Sequence, residues 1–301
     1  MMRTPFTGVG TALVTPFTSS GAVDEAGVRR LAKRQVEAGV HFLVPCGTTG
    51  EAPTLSAEEK RLVVELVVEE ARGRVPVLAG AGGYDTREVA ESARAMQEAG
   101  ANGLLSVTPY YNKPTPEGLF RHYEAIAGAT PLPIVVYNVP GRTGCNVDPK
   151  TLVRLASIPR VVGVKEASGN MAQICEVLTA VGPDFLVLSG DDALALPAMA
   201  VGARGVISVA SNEVPAEMAR LVEAAERNDF TAAREIHSRL LPLMLVNFAE
   251  SNPIPVKAAM AQMGLLEESY RLPMVPPGAQ TREKLLRVLS SVGLVPAGTR
   301  A

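Results

Sequence analysis

A lysine at the end of an apolar run is placed for chemistry, and Lys165 holds that position in VVGVKEASGN. An ammonium there loses hydration, desolvation lowers a lysine's pKa, and the neutral amine is the form that attacks a carbonyl carbon. The plainer alternative is a lysine just past a strand that pairs with a rim carboxylate such as Glu166. Lys257, in NPIPVKAAM, is the other lysine in an apolar setting, and a structural role is expected for it.

Four further segments carry groups that suit such an amine. CGTTGE (Cys46–Glu51) places two hydroxyls, Thr48 and Thr49, between glycines, an arrangement in which donors converge on a carboxylate; a tight turn capped by threonines is the alternative. YNVPGRTG (Tyr137–Gly144) offers a phenol for proton transfer and, in Arg142, a planar fork for a substrate carboxylate. A wet rim hydroxyl and a surface ion pair are the corresponding bland readings. In TPYYNKPTPEG (Thr108–Gly118) the adjacent tyrosines cannot face the same way, so one reaches outward, for packing against another subunit or for a site. LSGDD (Leu188–Asp192) supplies Gly190 for close backbone approach. Asp191 and Asp192 read as helix caps more readily than as a catalytic pair. Taken together, a lysine, a phenol, paired hydroxyls and an arginine suit imine chemistry on a 2-oxo acid.

The elements that must position these groups are legible as an alternation. Strands are expected at Val9–Thr15, His41–Cys46, Val75–Ala79, Gly103–Val107, Ile134–Tyr137, Val161–Lys165, Phe185–Ser189 and Gly205–Val209. Helical spacing fills Asp24–Ala38, Ser56–Arg72, Thr86–Ala99, Pro116–Ala127, Pro149–Ala156, Met171–Ala180, Ala193–Val201 and Pro215–Arg227. Start signals stand at Asp24, Ser56 with Glu59, Asp85 with Glu88, and Asp148 before Pro149. Stop signals recur at Gly39, Gly73, Gly100, Gly182 and Gly202. Eight strand–helix units in roughly 225 residues predict an α/β fold closed as a (β/α)8 TIM barrel, with chemistry at the C-terminal ends of the strands. An open doubly wound sheet would carry a GxGxxG turn after its first strand, and TALVTPF has none. Beyond Asn228 the alternation stops. Phe230–Leu245, Pro255–Met263 and Thr281–Val292 read as helices, so residues 1–228 are assigned to a catalytic barrel and 229–301 to a small C-terminal helical extension.

Composition narrows the function classes. The 301 residues carry a net charge of -2 with both signs interspersed, which argues against a nucleic-acid partner. Three cysteines without CxxC spacing and three scattered histidines point away from disulfides and from a metal, and suit a reducing, cytoplasmic address. The apolar runs of MMRTPFTGVGTALVTPF are too short for a signal sequence or a membrane span.

CGTTGE, TPYYNKPTPEG, YNVPGRTG, GVKEASGN, LSGDD and GARGVISVASN, in that order and across essentially the whole chain, resemble the dihydrodipicolinate synthase branch of the pyruvate-dependent class I aldolases. The resemblance implies a Schiff base between Lys165 and pyruvate, and attack of the derived enamine on L-aspartate 4-semialdehyde to give 4-hydroxy-tetrahydrodipicolinate, the first committed step of diaminopimelate and lysine biosynthesis. It implies a proton relay of Tyr137, Thr48 and Tyr111, the last crossing a tight dimer interface. It places Thr49, Gly190 and Ile207 around pyruvate and Arg142 on the semialdehyde carboxylate. A homotetramer built as a dimer of dimers is implied, and no cofactor.

The chain departs from that pattern at the feedback site for L-lysine. Strongly inhibited members typically carry histidine where this chain has Lys60 and asparagine where it has Tyr84, while Glu88 is retained; inhibition is therefore expected to be weak or absent. Two rivals share the barrel. A sister aldolase acting on N-acetylneuraminate or a 2-oxo-3-deoxy sugar acid is disfavoured by Thr48-Thr49 and by Arg142, and a non-catalytic carboxylate-binding barrel would form no adduct with pyruvate.

Overall fold

Strands with two apolar faces need cover on both sides, and a ring of parallel strands inside a ring of helices provides it. The computed structural model describes residues 5–296. Met1–Thr4 and 297–301, which the sequence reading assigns to the ends of the barrel and extension, lie outside them. The strands are β1 (Gly8–Ala12), β2 (Phe42–Val44), β3 (Leu78–Gly80), β4 (Gly103–Val107), β5 (Ile134–Asn138), β6 (Val161–Glu166), β7 (Leu186–Ser189) and β8 (Gly205–Ser208). The helices are α1 (Glu25–Glu37), α2 (Ala57–Ala71), α3 (Thr86–Glu98), α4 (Pro116–Ala129), α5 (Pro140–Thr143), α6 (Pro149–Ala156) and α7 (Met171–Ala180). They continue with α8 (Ala195–Ala200), α9 (Pro215–Glu226), α10 (Phe230–Val246), α11 (Ile254–Gln262) and α12 (Ala279–Ser291).

All recorded pairings in the sheet are parallel, in the order β2-β1-β8-β7-β6-β5-β4-β3. A bridge from Leu43 to Val77, with hydrogen bonds Leu43 N to Pro76 O (3.0 Å) and Gly80 N to Pro45 O (2.9 Å), brings β2 against β3 and closes the ring. Side chains alternate in and out along each strand. Val135, Tyr137, Leu186, Leu188 and Ile207 fill the interior, whereas Ile134, Val136, Val164, Val187 and Val206 belong to the larger layer beneath the helices.

Local signals act largely as expected. Ser56 and Glu59 form a capping box, and Asp24, Asp85 and Asp148 each accept a backbone N–H at a helix start. Gly39, Gly73, Gly100 and Gly202 take positive φ after their helices; Gly182 does not, because Val181 leaves α7 in an extended conformation instead. Asp191 accepts from Ala193 N at 2.8 Å in the turn before α8, whose N-cap Leu194 has no side-chain bond, so neither aspartate caps that helix as expected. Asp192 is buried and reaches across to Val209 N and Ala210 N, both at 2.9 Å, so it fixes the turn after β8.

After α9 the chain forms the expected helices. Val256, Met260 and Leu266 of this region pack with Val14, beyond β1, and Val209, beyond β8. The extension therefore lies over part of the barrel's C-terminal end, the end that carries the candidate groups. No helix among the described residues is long and apolar enough to cross a membrane.

Candidate active site

Strand periodicity decides which side chains meet. Tyr137 and Lys165 are register partners on β5 and β6, both pointing inward, with Leu188 of β7 beside Lys165. The Lys165 amine lies 4.2 Å from the centre of the Tyr137 ring, so a π face rather than a carboxylate is the recorded neighbour of its charge. Glu166 is one residue on and therefore faces outward. Its carboxylate accepts from Asn138 Nδ2 (2.8 Å), Gln173 Nε2 (3.3 Å) and Ser168 N (2.7 Å). The pairing of Lys165 with Glu166, a possibility on sequence alone, is excluded by this alternation.

Gly190 is required by close approach. A Cβ there would stand 3.0 Å from Lys165 Cε and 2.6 Å from the Ala167 Cβ, in the space the lysine stem occupies. Ile207 of β8 is fully buried in the interior layer.

Tyr137 also lines a cavity of about 250 Å³, whose wall includes Thr48, Tyr110, Arg142 and Lys60; Lys165, Thr49, Gly190 and Ile207 are not part of that wall, and Lys165 meets it through the Tyr137 ring. Thr48 is half-buried. Thr49, its neighbour, is buried and accepts a hydrogen bond from Asn252 Nδ2 at 2.9 Å. Arg142 sits on the short helix α5, where a loop was expected, and donates from Nη2 to Asn252 O at 3.0 Å. It makes no ion pair among the described residues, so the surface-pair reading does not hold for it.

The two tyrosines of TPYYNKPTPEG separate. Tyr110 lines the cavity and stacks edge-on against Tyr84 at 5.2 Å, and burial, with Tyr84 and Glu88 nearby, pushes its phenol pKa up. Tyr111 is 91% exposed with φ +69°, turned out of its own barrel. Lys60, Tyr84 and Glu88 thus gather on the Tyr110 side, with Lys60 contributing to the same cavity wall as Thr48 and Tyr137.

Sequence reasoning missed what holds the CGTTGE turn. Glu51, at φ +53°, is buried and accepts from Lys257 Nζ at 2.6 Å and from Arg271 N at 3.3 Å. Arg271 also donates to Thr54 O (2.8 Å) and pairs with Glu59, whose pKa it holds down to about 2. NPIPVKAAM carries both Asn252 and Lys257, yet nothing local in it names partners some two hundred residues away. No cluster of three or more His, Cys, Asp or Glu among the described residues could hold a metal ion.

An eight-stranded parallel barrel with a lysine, a phenol and hydroxyls converging at the C-terminal mouth defines a (β/α)8 protein with an enzyme-type site. The description "Dihydrodipicolinate synthetase family" matches residues 5–292, and the chain belongs to that family. The 4-hydroxy-tetrahydrodipicolinate synthase of Koribacter versatilis is 51% identical over 295 residues, covering 98% of each chain. The crystal structure of the dihydrodipicolinate synthase of Thermotoga maritima superposes with a TM-score of 0.95 at 44% identity, over 97% of this chain and 100% of that one. The chloride-inhibited synthase of Acinetobacter baumannii, complexed with pyruvate, gives 0.94 at 42% identity over 96% and 99%.

Proposed function

We propose that the chain is a lyase that condenses pyruvate with L-aspartate 4-semialdehyde to give 4-hydroxy-tetrahydrodipicolinate, in lysine and diaminopimelate biosynthesis. Relatives near half identity along the full chain carry that activity in their names. The observation that carries the mechanism is a buried lysine without a carboxylate partner, facing a phenol from the neighbouring strand.

The Lys165 amine attacks C2 of pyruvate, and loss of water leaves an iminium. That cation acidifies C3, which gives up a proton to the hydroxyl relay and leaves an enamine whose C3 bonds to the aldehyde carbon of the semialdehyde, the new alkoxide taking a proton back. The semialdehyde's amino group then attacks C2 and displaces the lysine, closing the ring and freeing the enzyme. The lysine is itself the electron sink, so no cofactor enters. Tyr137 and Thr48 move the protons, with Tyr111 as the third member. An exposed Tyr111 is free to enter a partner subunit's mouth, which supports a homotetramer built from tight dimers. Thr49 and the backbone at Gly190 and Ile207 hold the keto acid, and Arg142 holds the carboxylate of the incoming semialdehyde. Residues 1–228 carry this chemistry and 229–301 form the extension. Three free cysteines fit a reducing cytoplasm.

Incubation with pyruvate followed by borohydride reduction and peptide mapping tests the reading. A pyruvyl adduct on Lys165 is expected; wild-type protein that turns over yet traps nothing on that residue overturns it.

A further inference from the structure

Asn252 touches two of the groups just assigned without having chemistry of its own. Its side chain donates to the Thr49 hydroxyl, and its backbone oxygen accepts from Arg142. A threonine hydroxyl has two lone pairs and a single proton. With one lone pair taken by Asn252, that proton is left to point elsewhere, and no acceptor for it is recorded among the described residues. The amide oxygen of Asn252 is itself buried without a protein partner, so among the described residues the side chain is held through its donor to Thr49.

We infer that Asn252 is a positioning residue that sets the polarity of Thr49, so that the Thr49 hydroxyl donates to the carboxylate of the bound 2-oxo acid. The C-terminal extension thereby completes the keto-acid pocket from outside the barrel. This rests on Thr49 contacting pyruvate, as proposed above. The two arms of Asn252 are separable, because a side-chain substitution removes the bond to Thr49 and leaves the backbone oxygen that holds Arg142.

The test is a cycle of Asn252→Ala, Thr49→Val and the double variant, with steady-state kinetics for both substrates and a thermal melt for each protein. Asn252→Ala is expected to raise the KM for pyruvate by up to about tenfold, the worth of one hydrogen bond. The KM for the semialdehyde should move by less than about twofold. In the Thr49→Val background the same substitution should add nothing to the pyruvate KM. Equal rises in both KM values, a fall in kcat alone, or a full multiplicative effect on top of Thr49→Val overturns the inference. If Asn252→Ala does not fold, Asn252→Asp keeps the shape, but its ionised carboxylate can only accept, so the donor to Thr49 is lost. Half-saturation of borohydride trapping by pyruvate should then rise, and rise less when Thr49 is valine; an undiminished rise means charge repulsion and overturns the idea. Trapping of wild-type Lys165 tests the underlying reading separately, and it can succeed while this cycle fails.

Discussion

Two lysines are buried among the described residues, and they have opposite surroundings. Lys257 is fully enclosed; its amine meets Glu51 at 2.6 Å and lies over the rings of Phe17 and Tyr270. Burial pulls its pKa down and Glu51 pulls it back up, so the charge is neutralised in place. Lys165 is nearly as buried but faces only the ring of Tyr137, which itself lines the cavity. A partnered amine has its lone pair and charge committed to the fold, whereas an unpartnered one keeps its reactivity at a cost in stability.

The largest separation of the two should come from Lys165→Ala. Turnover is expected to fall at least roughly a thousandfold, as for loss of a covalent nucleophile. The melting temperature should hold or rise, because the variant loses a desolvated amine with no counter-charge. Kinetics and a thermal melt on the same preparation check both halves. A variant that keeps ordinary turnover removes Lys165 from the chemistry.

Lys257→Met should do the reverse. Breaking a buried pair from one side leaves Glu51 charged and unpaired, at about 3–5 kcal/mol. Denaturant unfolding should show a loss of that size, while pyruvate still traps Lys165 in the folded fraction. Glu51→Gln added to Lys257→Met should recover much of it. If the single variant is as stable as wild type, the pair is not what latches the extension to the CGTTGE turn.

How much of this contrast could be read in advance depends on the range over which it is encoded. Lys165 and Tyr137 were legible because strand alternation is a local rule, and a strand end names the barrel mouth without further knowledge. The same rule disposes of Glu166. The partners of Lys257 and Thr49 were not legible, since which loop meets which extension residue is decided by tertiary packing over some two hundred residues. Asp191 and Asp192 show the limit at its sharpest. They are adjacent and identical, yet one bonds within its own turn and the other reaches the loop after β8. α5 was also missed, because Gly141 and Pro140 read as loop and four residues leave no period to detect.

Burial without an ionic partner is not by itself a mark of function, and Glu213 makes the point. Its carboxyl receives one hydrogen bond from Asn247 Nδ2 at 2.6 Å, and its other oxygen has no protein partner. Burial, reinforced by Asp192 and opposed by Asn247 and Arg34, pushes its pKa up to about 8. The folded state therefore holds this proton up to that pH, whereas the unfolded chain releases it near the ordinary carboxyl value. Stability must fall as pH rises between the two. Glu213→Gln cannot ionise, so its melting temperature should exceed that of wild type at pH above about 8, with the gap closing toward pH 5. A gap that stays constant across that window removes Glu213 as the source of the slope.

Lys60 supplies the smallest and most specific test. Like Lys165 it makes no ion pair among the described residues, but it is half-buried on the cavity wall rather than enclosed. If L-lysine approaches the Tyr84, Glu88 and Tyr110 side of this cavity, its ammonium meets a fixed like charge where inhibited family members typically carry histidine. Near a surface such a repulsion is worth about 1–4 kcal/mol at close range, and less with salt. Activity should therefore withstand L-lysine at millimolar levels. Lys60→His should tighten inhibition by up to about tenfold, an effect that shrinks as ionic strength rises. Glu88 is unchanged between the two proteins, so attraction for the ligand's ammonium is held constant and only the repulsion is removed. Half-inhibition of the wild type below millimolar L-lysine would show that an unpaired cation on this wall does not govern the site.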